Sequence, residues 1–280
     1  MTHRPGLTPT QAGVVDGWFP GAELVEDLSW CQTDTAVLHL RHDGHDVVVK
    51  AGGPSNHHIG REITGHECFT APLVEVGGAA RLLHADRDLR LLATEYLPGT
   101  LVEGDPAEWV ADTYRQAGAL LAALHSQASR SEPDYEATAD ARALAWFDEP
   151  HRIAPETVAR LREALAGGGR VPATVVPTHG DWQPRNWLVH EGAVRVIDLG
   201  RADWRPAYTD FARLAAQQFR GRPHLERAFV EGYGHDPREP EAWRRTRIRE
   251  AIGTAVWAYR VGDEGFEAQG HRMIADALAT

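Results

Sequence analysis

The chain has 280 residues, a formal net charge of −11 at pH 7, 42% hydrophobic residues and 25% charged ones. That length allows two modest domains or one domain of two lobes, and that balance belongs to a folded globular chain rather than a disordered one. An acidic chain lacks the basic face a nucleic acid needs, so no nucleic-acid partner is expected; a cleft in it would instead attract a cationic small molecule. Two cysteines, Cys31 and Cys68, cannot form a disulfide framework and fit a reducing compartment. Residues Met1 to Gly6 lack the apolar core of a signal peptide, and no apolar run is long enough to span a bilayer. A cytoplasmic protein with no membrane partner is expected, and its oligomeric state is unknown from sequence.

Thr8-Pro9-Thr10-Gln11 has the form of a helix start, predicting a helix to about Trp18. β-like stretches follow near 22–28, 34–41 and 45–51, the last two joined by a His42-Asp43-Gly44 turn. The run Val47-Val48-Val49-Lys50 reads as a central strand. A helix over 57–70 carries Glu62 and Glu67. Strands over 79–85 and 89–96 flank an Arg87-Asp88 turn, and Pro98-Gly99 breaks the pattern. Beyond it the chain reads as helical. Asp105-Pro106-Ala107-Glu108 opens a helix to His125, and others are predicted at 155–166, 207–219, 223–232, 241–261 and 264–279. Gly167-Gly168-Gly169 reads as a turn. The expected architecture is α+β: a β-rich N-lobe over 1–97, a hinge near 97–100, and a mainly helical C-lobe over 98–280.

Lys50 is the only lysine among 29 Lys and Arg residues, so one site uses a compact ammonium where every other uses a guanidinium. The densest polar segment runs from Thr178 to Asn186 and holds His179, Asp181 and Arg185. It leads into two apolar stretches around Gly192 that read as a hairpin ending at Asp198. Pairing symmetric about Gly192 would set Asn186 opposite Asp198, with Cβ atoms about 4.5–5.5 Å apart. An amide oxygen and a carboxylate so placed can share Mg²⁺, which favours sparse oxygen ligation completed by phosphates and water. Asp181 would stand beside them. Phosphoryl transfer needs such a metal pair, a carboxylate to orient the attacking hydroxyl, and a cation on the phosphates, which Lys50 can supply. A helical glutamate must hold that lysine. Glu62 is the first choice and Glu67 the alternative.

The chain resembles the aminoglycoside phosphotransferase and choline kinase-like group, which has a bilobal protein-kinase-like fold. The resemblance rests on Val47 to Lys50, Arg61-Glu62-Ile63, Glu95-Tyr96-Leu97-Pro98-Gly99, Ala117 to His125, His179-Gly180-Asp181 with Asn186, Ile197-Asp198-Leu199-Gly200 and Asp210-Phe211-Ala212. These occur in the family's order over roughly 45–215. The resemblance implies Asp181 as the catalytic carboxylate, Asn186 and Asp198 as Mg²⁺ ligands, and Lys50 with Glu62 on the phosphates of ATP or GTP. It places the purine edge on the backbone from Glu95 to Leu97 and has Asp210 brace the catalytic loop. The acceptor it implies is a cationic small molecule, such as an aminoglycoside or a basic cyclic peptide of the viomycin and capreomycin type, phosphorylated to give antibiotic resistance. A small metabolite such as choline, an amino alcohol or a sugar is the alternative acceptor.

The chain also departs from the family pattern. The Ser29 to Asp34 loop has no glycine, so Ser29 or Thr33 hydroxyls would have to replace a backbone phosphate cradle. Arg185 stands where the family often has a small residue; it contacts phosphate or substrate, or caps the loop. His179 is expected to brace its loop. His57, His58 and His66 are read as surface residues rather than zinc ligands. Trp182, Trp187 and Trp204 are packing material or line a substrate slot. Asp263, Glu264 and Glu267 form a solvated helix face or greet a polycation. Two readings from other classes compete: a non-haem iron oxygenase using His179 and Asp181, completed by His224 or His235, and a non-catalytic kinase-shaped binding protein.

Overall fold

The structure is a computed structural model that describes residues 4–30, 34–166 and 172–279. Helix α1 (Pro9–Trp18) starts as its cap dictates. The Thr8 hydroxyl accepts from the Gln11 N–H, and the Gln11 side chain accepts from the Thr8 N–H, which satisfies two donors that a helix start otherwise leaves open. Next come β1 (Glu23–Asp27), β2 (Thr35–His42), β3 (His45–Gly52), α2 (His58–Cys68), α3 (Ala71–Glu75), β4 (Leu82–Asp86) and β5 (Leu91–Glu95). After β6 (Thr100–Leu101) follow α4 (Ala111–His125), β7 (Arg130–Glu132), α5 (Tyr135–Ala145), α6 (Pro155–Leu165) and β8 (Ala173–Thr178). The chain continues with β9 (Trp187–His190), β10 (Ala193–Val196), β11 (Asp203–Arg205), α7 (Ala212–Ala216), α8 (Pro223–Tyr233), α9 (Pro240–Val261) and α10 (Glu264–Leu278).

These elements gather into two compact units. The first takes residues 4–127, 179–203 and 224–234, and the second takes 128–178, 204–223 and 235–279, leaving aside the residues outside the description. In the first, β1-β2-β3-β5-β4 form an antiparallel sheet with β3 at its centre. Side chains alternate between the faces of a strand. Val47, Val49 and Ala51 of β3 pack with Leu38 and Leu40 of β2, Leu91 and Ala93 of β5, Val15 of α1 and Phe19 just after it. The opposite face carries Leu92, which packs on Ile59 and Ile63 of α2. Lys50 pairs with Leu92 across the ladder, and so belongs to the α2 side. The first unit also holds the small sheet β10-β9-β6.

In the second unit, α5 and α6 pack on α9, and α9 packs along α10. Ile248, Ile252, Val256 and Ile274 form the centre of that core with Leu161 and Leu165. A three-stranded sheet β11-β8-β7 accompanies the helices.

Several elements differ from expectation. Asp105 caps only a 3₁₀ turn, Pro106–Trp109, by accepting from the Ala107 N–H; Val110 then stays extended, and α4 begins after it. The helix predicted over 207–219 is a 3₁₀ turn, Ala207–Phe211, followed by the short α7, because Gln217 leaves helical geometry at φ −120° and ψ −85°. Helix α5 and strands β7, β8 and β11 were not expected. The Gly167 to Gly169 turn lies outside the described residues.

The register of the catalytic hairpin is also corrected. The turn has two residues, Glu191 and Gly192, both at positive φ (50° and 78°). This is the tight hairpin turn whose twist matches its strands. Ala193 therefore pairs with His190 and Val196 with Trp187, and the Ile197 N–H donates to the Asn186 carbonyl at 3.0 Å. Asn186 faces Ile197, not Asp198. A one-residue slip exchanges the faces of a strand. Asp198 does not continue the strand: its φ of +65° lies in the left-handed region and turns the chain there.

Candidate active site

Lys50 Nζ lies 2.5 Å from Glu62 Oε1. The pair follows from two periodicities. Lys50 occupies the α2 face of β3, while Glu62 sits between Ile59 and Ile63 on the buried face of α2. A carboxylate in an apolar stripe is costly unless paired. Glu67 lies on the outer face and pairs with Arg87. Burial pushes the Lys50 ammonium down, but Glu62 and then Asp198 outweigh it and hold its pKa above the ordinary value. Burial pushes the Glu62 carboxyl up, against the pull of Lys50.

The loop before β9 folds on itself. His179 Nδ1 accepts from the Asp181 N–H at 3.2 Å, and its Nε2 donates to the Ile197 carbonyl at 3.0 Å. The ring also packs edge-on against Trp182. Three donors reach the Asp181 carboxylate: Gln183 Nε2 at 2.5 Å on Oδ1, Arg185 Nη2 at 2.6 Å on Oδ2, and Asn186 Nδ2 at 3.1 Å on Oδ2. Asn186 Nδ2 also donates to the Asp181 carbonyl at 2.8 Å. Asp198 Oδ1 accepts from the Gly200 N–H at 3.1 Å. Protein surrounds the carboxyl closely, yet it reaches solvent. Burial pushes its pKa up, while Lys50 and the Gly200 N–H more than offset this and hold it below the ordinary carboxylate range.

The donor set suits Mg²⁺. The Asn186 amide nitrogen is committed to Asp181, so Oδ1 is the atom it can offer a cation, and Asp198 adds an exposed carboxylate. Hard oxygen donors in small number are what Mg²⁺ takes beside phosphates. Among the described residues no three His, Cys, Asp or Glu side chains cluster to hold a metal. The iron reading fails on geometry, because both ring nitrogens of His179 are engaged by backbone groups.

Other candidates have structural partners. Ser29 Oγ accepts from the Val37 N–H, and Ser29 also hydrogen-bonds Asp27; Thr33 lies outside the described residues. The Glu95 N–H donates to the Arg81 carbonyl, and the Tyr96 N–H to the Asp46 carbonyl; Leu97 is half-buried beside them. Trp182 is buried and stacks edge-on with Trp187, which meets Tyr114 in turn, so it packs beneath the loop. In the second unit Asp210 is buried on its 3₁₀ turn, and the Arg130 guanidinium lies 4.5 Å over the Trp204 ring. Asp263 caps α10 and, like Glu264, is exposed, whereas Glu267 is buried and bound by Arg152 and His271, so it does not belong to a solvated face.

Two residues escaped sequence reasoning. Gln183, two positions after Asp181, anchors its carboxylate. His58 reads as a surface histidine from sequence, yet its Nδ1 lies 3.1 Å from the Gly200 carbonyl. His66 is not a surface residue either: its Nδ1 is enclosed without a partner.

No curated protein sequence matches the chain. Its fold matches solved structures of low identity. A thermostable mutant of an aminoglycoside phosphotransferase, in complex with ADP and hygromycin B, aligns with TM-score 0.70 at 13% identity, covering 97% of this chain and 98% of that one. A choline kinase from Streptococcus pneumoniae aligns at 0.66 and 13%, covering 96% and 99%. A macrolide 2′-phosphotransferase from Brachybacterium faecium aligns at 0.59 and 18%, covering 95% and 98%. The bilobal protein-kinase-like fold is thereby established, with a β-rich N-terminal part and a helical C-terminal part. Residues 58–248 match the model of the phosphotransferase enzyme family, and the match spans Glu62, Asp181, Asn186 and Asp198. The chain belongs to that family and is a small-molecule phosphotransferase with an alcohol group as acceptor.

Proposed function

We propose that the enzyme transfers the γ-phosphoryl group of ATP, or of GTP, to a hydroxyl of a cationic small molecule of the aminoglycoside or basic cyclic-peptide kind, and so inactivates an antibiotic. The observation that carries the reading is the common field of Lys50, Glu62, Asp181 and Asp198, with Asn186 bonded to Asp181. The net charge of −11 favours a cationic acceptor. The hygromycin B complex of one structural relative supports the same class.

In this reading Lys50, fixed by Glu62, lies against the α- and β-phosphates. Asn186 and Asp198 hold Mg²⁺, which when bound neutralises charge on the phosphates. Asp181 accepts the hydrogen bond of the acceptor hydroxyl, aims its oxygen at the γ-phosphorus, and takes its proton as the new O–P bond forms and the bond from phosphorus to the β,γ-bridging oxygen breaks, releasing the nucleoside diphosphate. Little base strength is required, because the transition state is loose and positioning dominates. That agrees with an Asp181 carboxylate held by Arg185.

A screen for ADP release with basic antibiotics, amino alcohols and sugars tests the acceptor. Turnover with a basic antibiotic is expected; turnover confined to choline, amino alcohols or neutral sugars would overturn the cationic-antibiotic reading and leave a metabolite kinase. With the acceptor found, Asp181→Asn should lower kcat by about 10²–10⁴-fold while nucleotide affinity holds. Unchanged kcat would remove Asp181 from its role.

A further inference from the structure

We infer that His58 is a positioning residue that ties the Asp198 segment to the helix carrying Glu62. The inference rests on reading Asp198 as a magnesium ligand. A carbonyl only accepts, so the 3.1 Å contact between His58 Nδ1 and the Gly200 oxygen requires the ring proton on Nδ1. The N–H of the same Gly200 donates to Asp198 Oδ1, also at 3.1 Å. One peptide residue thus has its carbonyl held by α2 and its amide holding the ligand carboxylate.

The surroundings leave little slack. A Cβ on Gly200 would lie 3.0 Å from Asp198 Oδ1 and 3.3 Å from His58 Cβ, so glycine is what permits the approach. Two turns further along α2, Gly65 brings the helix against Leu199 and Ala202: a Cβ there would meet their Cβ atoms at 3.0 and 3.1 Å. His58 itself is fixed at the helix start, where Asn56 Oδ1 accepts from both the His58 and Ile59 N–H groups. Asn56 Nδ2 donates to Asp34 and Thr35, which ties that start to β2. His58 and Glu62 are four residues apart and share a helix face. A single face of α2 therefore grips Lys50 through one side chain and the Asp198 segment through another. Asp198 needs such support, because its left-handed backbone persists only where neighbours over-determine it.

The test compares wild type with His58→Ala, His58→Asn and Asp198→Ala. ADP release from ATP is followed against Mg²⁺ concentration, alongside thermal melts. The asparagine amide nitrogen stands close to where the imidazole Nδ1 stands, and can donate to the same carbonyl. His58→Ala should raise the Mg²⁺ concentration for half-maximal rate and lower kcat, together by about 10–100-fold, the usual effect of losing a group that orients a metal ligand. Nucleotide affinity should hold, and His58→Asn should recover most of the loss. A wild-type response from His58→Ala beside an inactive Asp198→Ala overturns the role of His58 alone. Equal impairment of the alanine and asparagine variants also overturns it, since the hydrogen bond is then not what matters. An active Asp198→Ala overturns the underlying reading of the ligand.

Discussion

Replacing Glu62 with alanine removes a carboxylate 2.5 Å from Lys50 Nζ, where the two side chains are 4% and 17% exposed. Breaking a buried ion pair from one side costs about 3–5 kcal/mol, because the surviving charge is left uncompensated. Two features lower that figure here. The Lys50 ammonium keeps partial contact with water, and Asp198 still acts on it. A loss of about 2–3 kcal/mol is expected, or roughly 4–12 °C in Tm for a chain of this size. The sharper measurement is a double-mutant cycle. Lys50→Met together with Glu62→Leu removes both charges and restores apolar volume beside Ile59 and Ile63. Such replacements of buried pairs are often neutral, so the double variant should be at least about 1 kcal/mol more stable than the sum of the single losses predicts. Urea and thermal unfolding of the four proteins give the coupling. The same double variant should fold and yet fail to turn over, which separates the stability of the pair from its use. Losses that add within about 0.5 kcal/mol would refute the claim that the two charges compensate each other.

Three further predictions follow from other sites. Burial, with the Lys50 charge second, pushes the His66 pKa down to about 4, against an ordinary value of about 6.5. The unfolded chain therefore takes the proton first as pH falls, so stability is complete above pH ~6.5 and declines by about 3 kcal/mol toward pH 4. The stability difference between wild type and His66→Leu should shrink or reverse over that window, and a difference independent of pH would refute the burial argument. In the second unit Arg249 pairs with both Glu136 and Asp140 behind a side chain 9% exposed. Arg249→Met should destabilise by about 3–5 kcal/mol in urea unfolding, and a loss below ~1 kcal/mol, the size of a surface pair, would mean the network is not enclosed. Arg185→Ala removes a partly exposed cation 2.6 Å from the Asp181 carboxylate. Steady-state kinetics should show kcat down about tenfold, the lower end of a hydrogen bond to a charged group, whereas a rise in kcat would mean that Arg185 restrains Asp181.

The first unit was legible because its signals are local and mutually consistent. Thr8 and Gln11 mark a helix start, Asp43-Gly44 marks a hairpin, and a β-branched run ending in the only lysine marks β3. The hairpin after Asp181 was recognised but misregistered by one residue, since Glu191-Gly192 forms the same two-residue turn as Asp43-Gly44 without the aspartate that advertises it. Strands of three residues, such as β7 and β11, are too short for alternation to register.

Helix α5 went unseen for a different reason, and it bears on how a buried acid is read. Its buried positions are Asp140 and Ala143, so it lacks the apolar stripe by which helices are recognised. Asp140 can be buried because Arg245 and Arg249 reach it, from 105 and 109 residues further along the chain. Glu62 poses the same problem in α2, an acid on the inward face, yet its partner Lys50 lies only 12 residues away on a strand that its β-branched run marks in the sequence. A buried carboxylate is readable when its counter-charge belongs to a recognised element nearby, and reads as solvated surface when the counter-charge is distant. Glu267, on a helix face that reads as solvated from sequence, is held by Arg152 from 115 residues upstream and obeys the same rule.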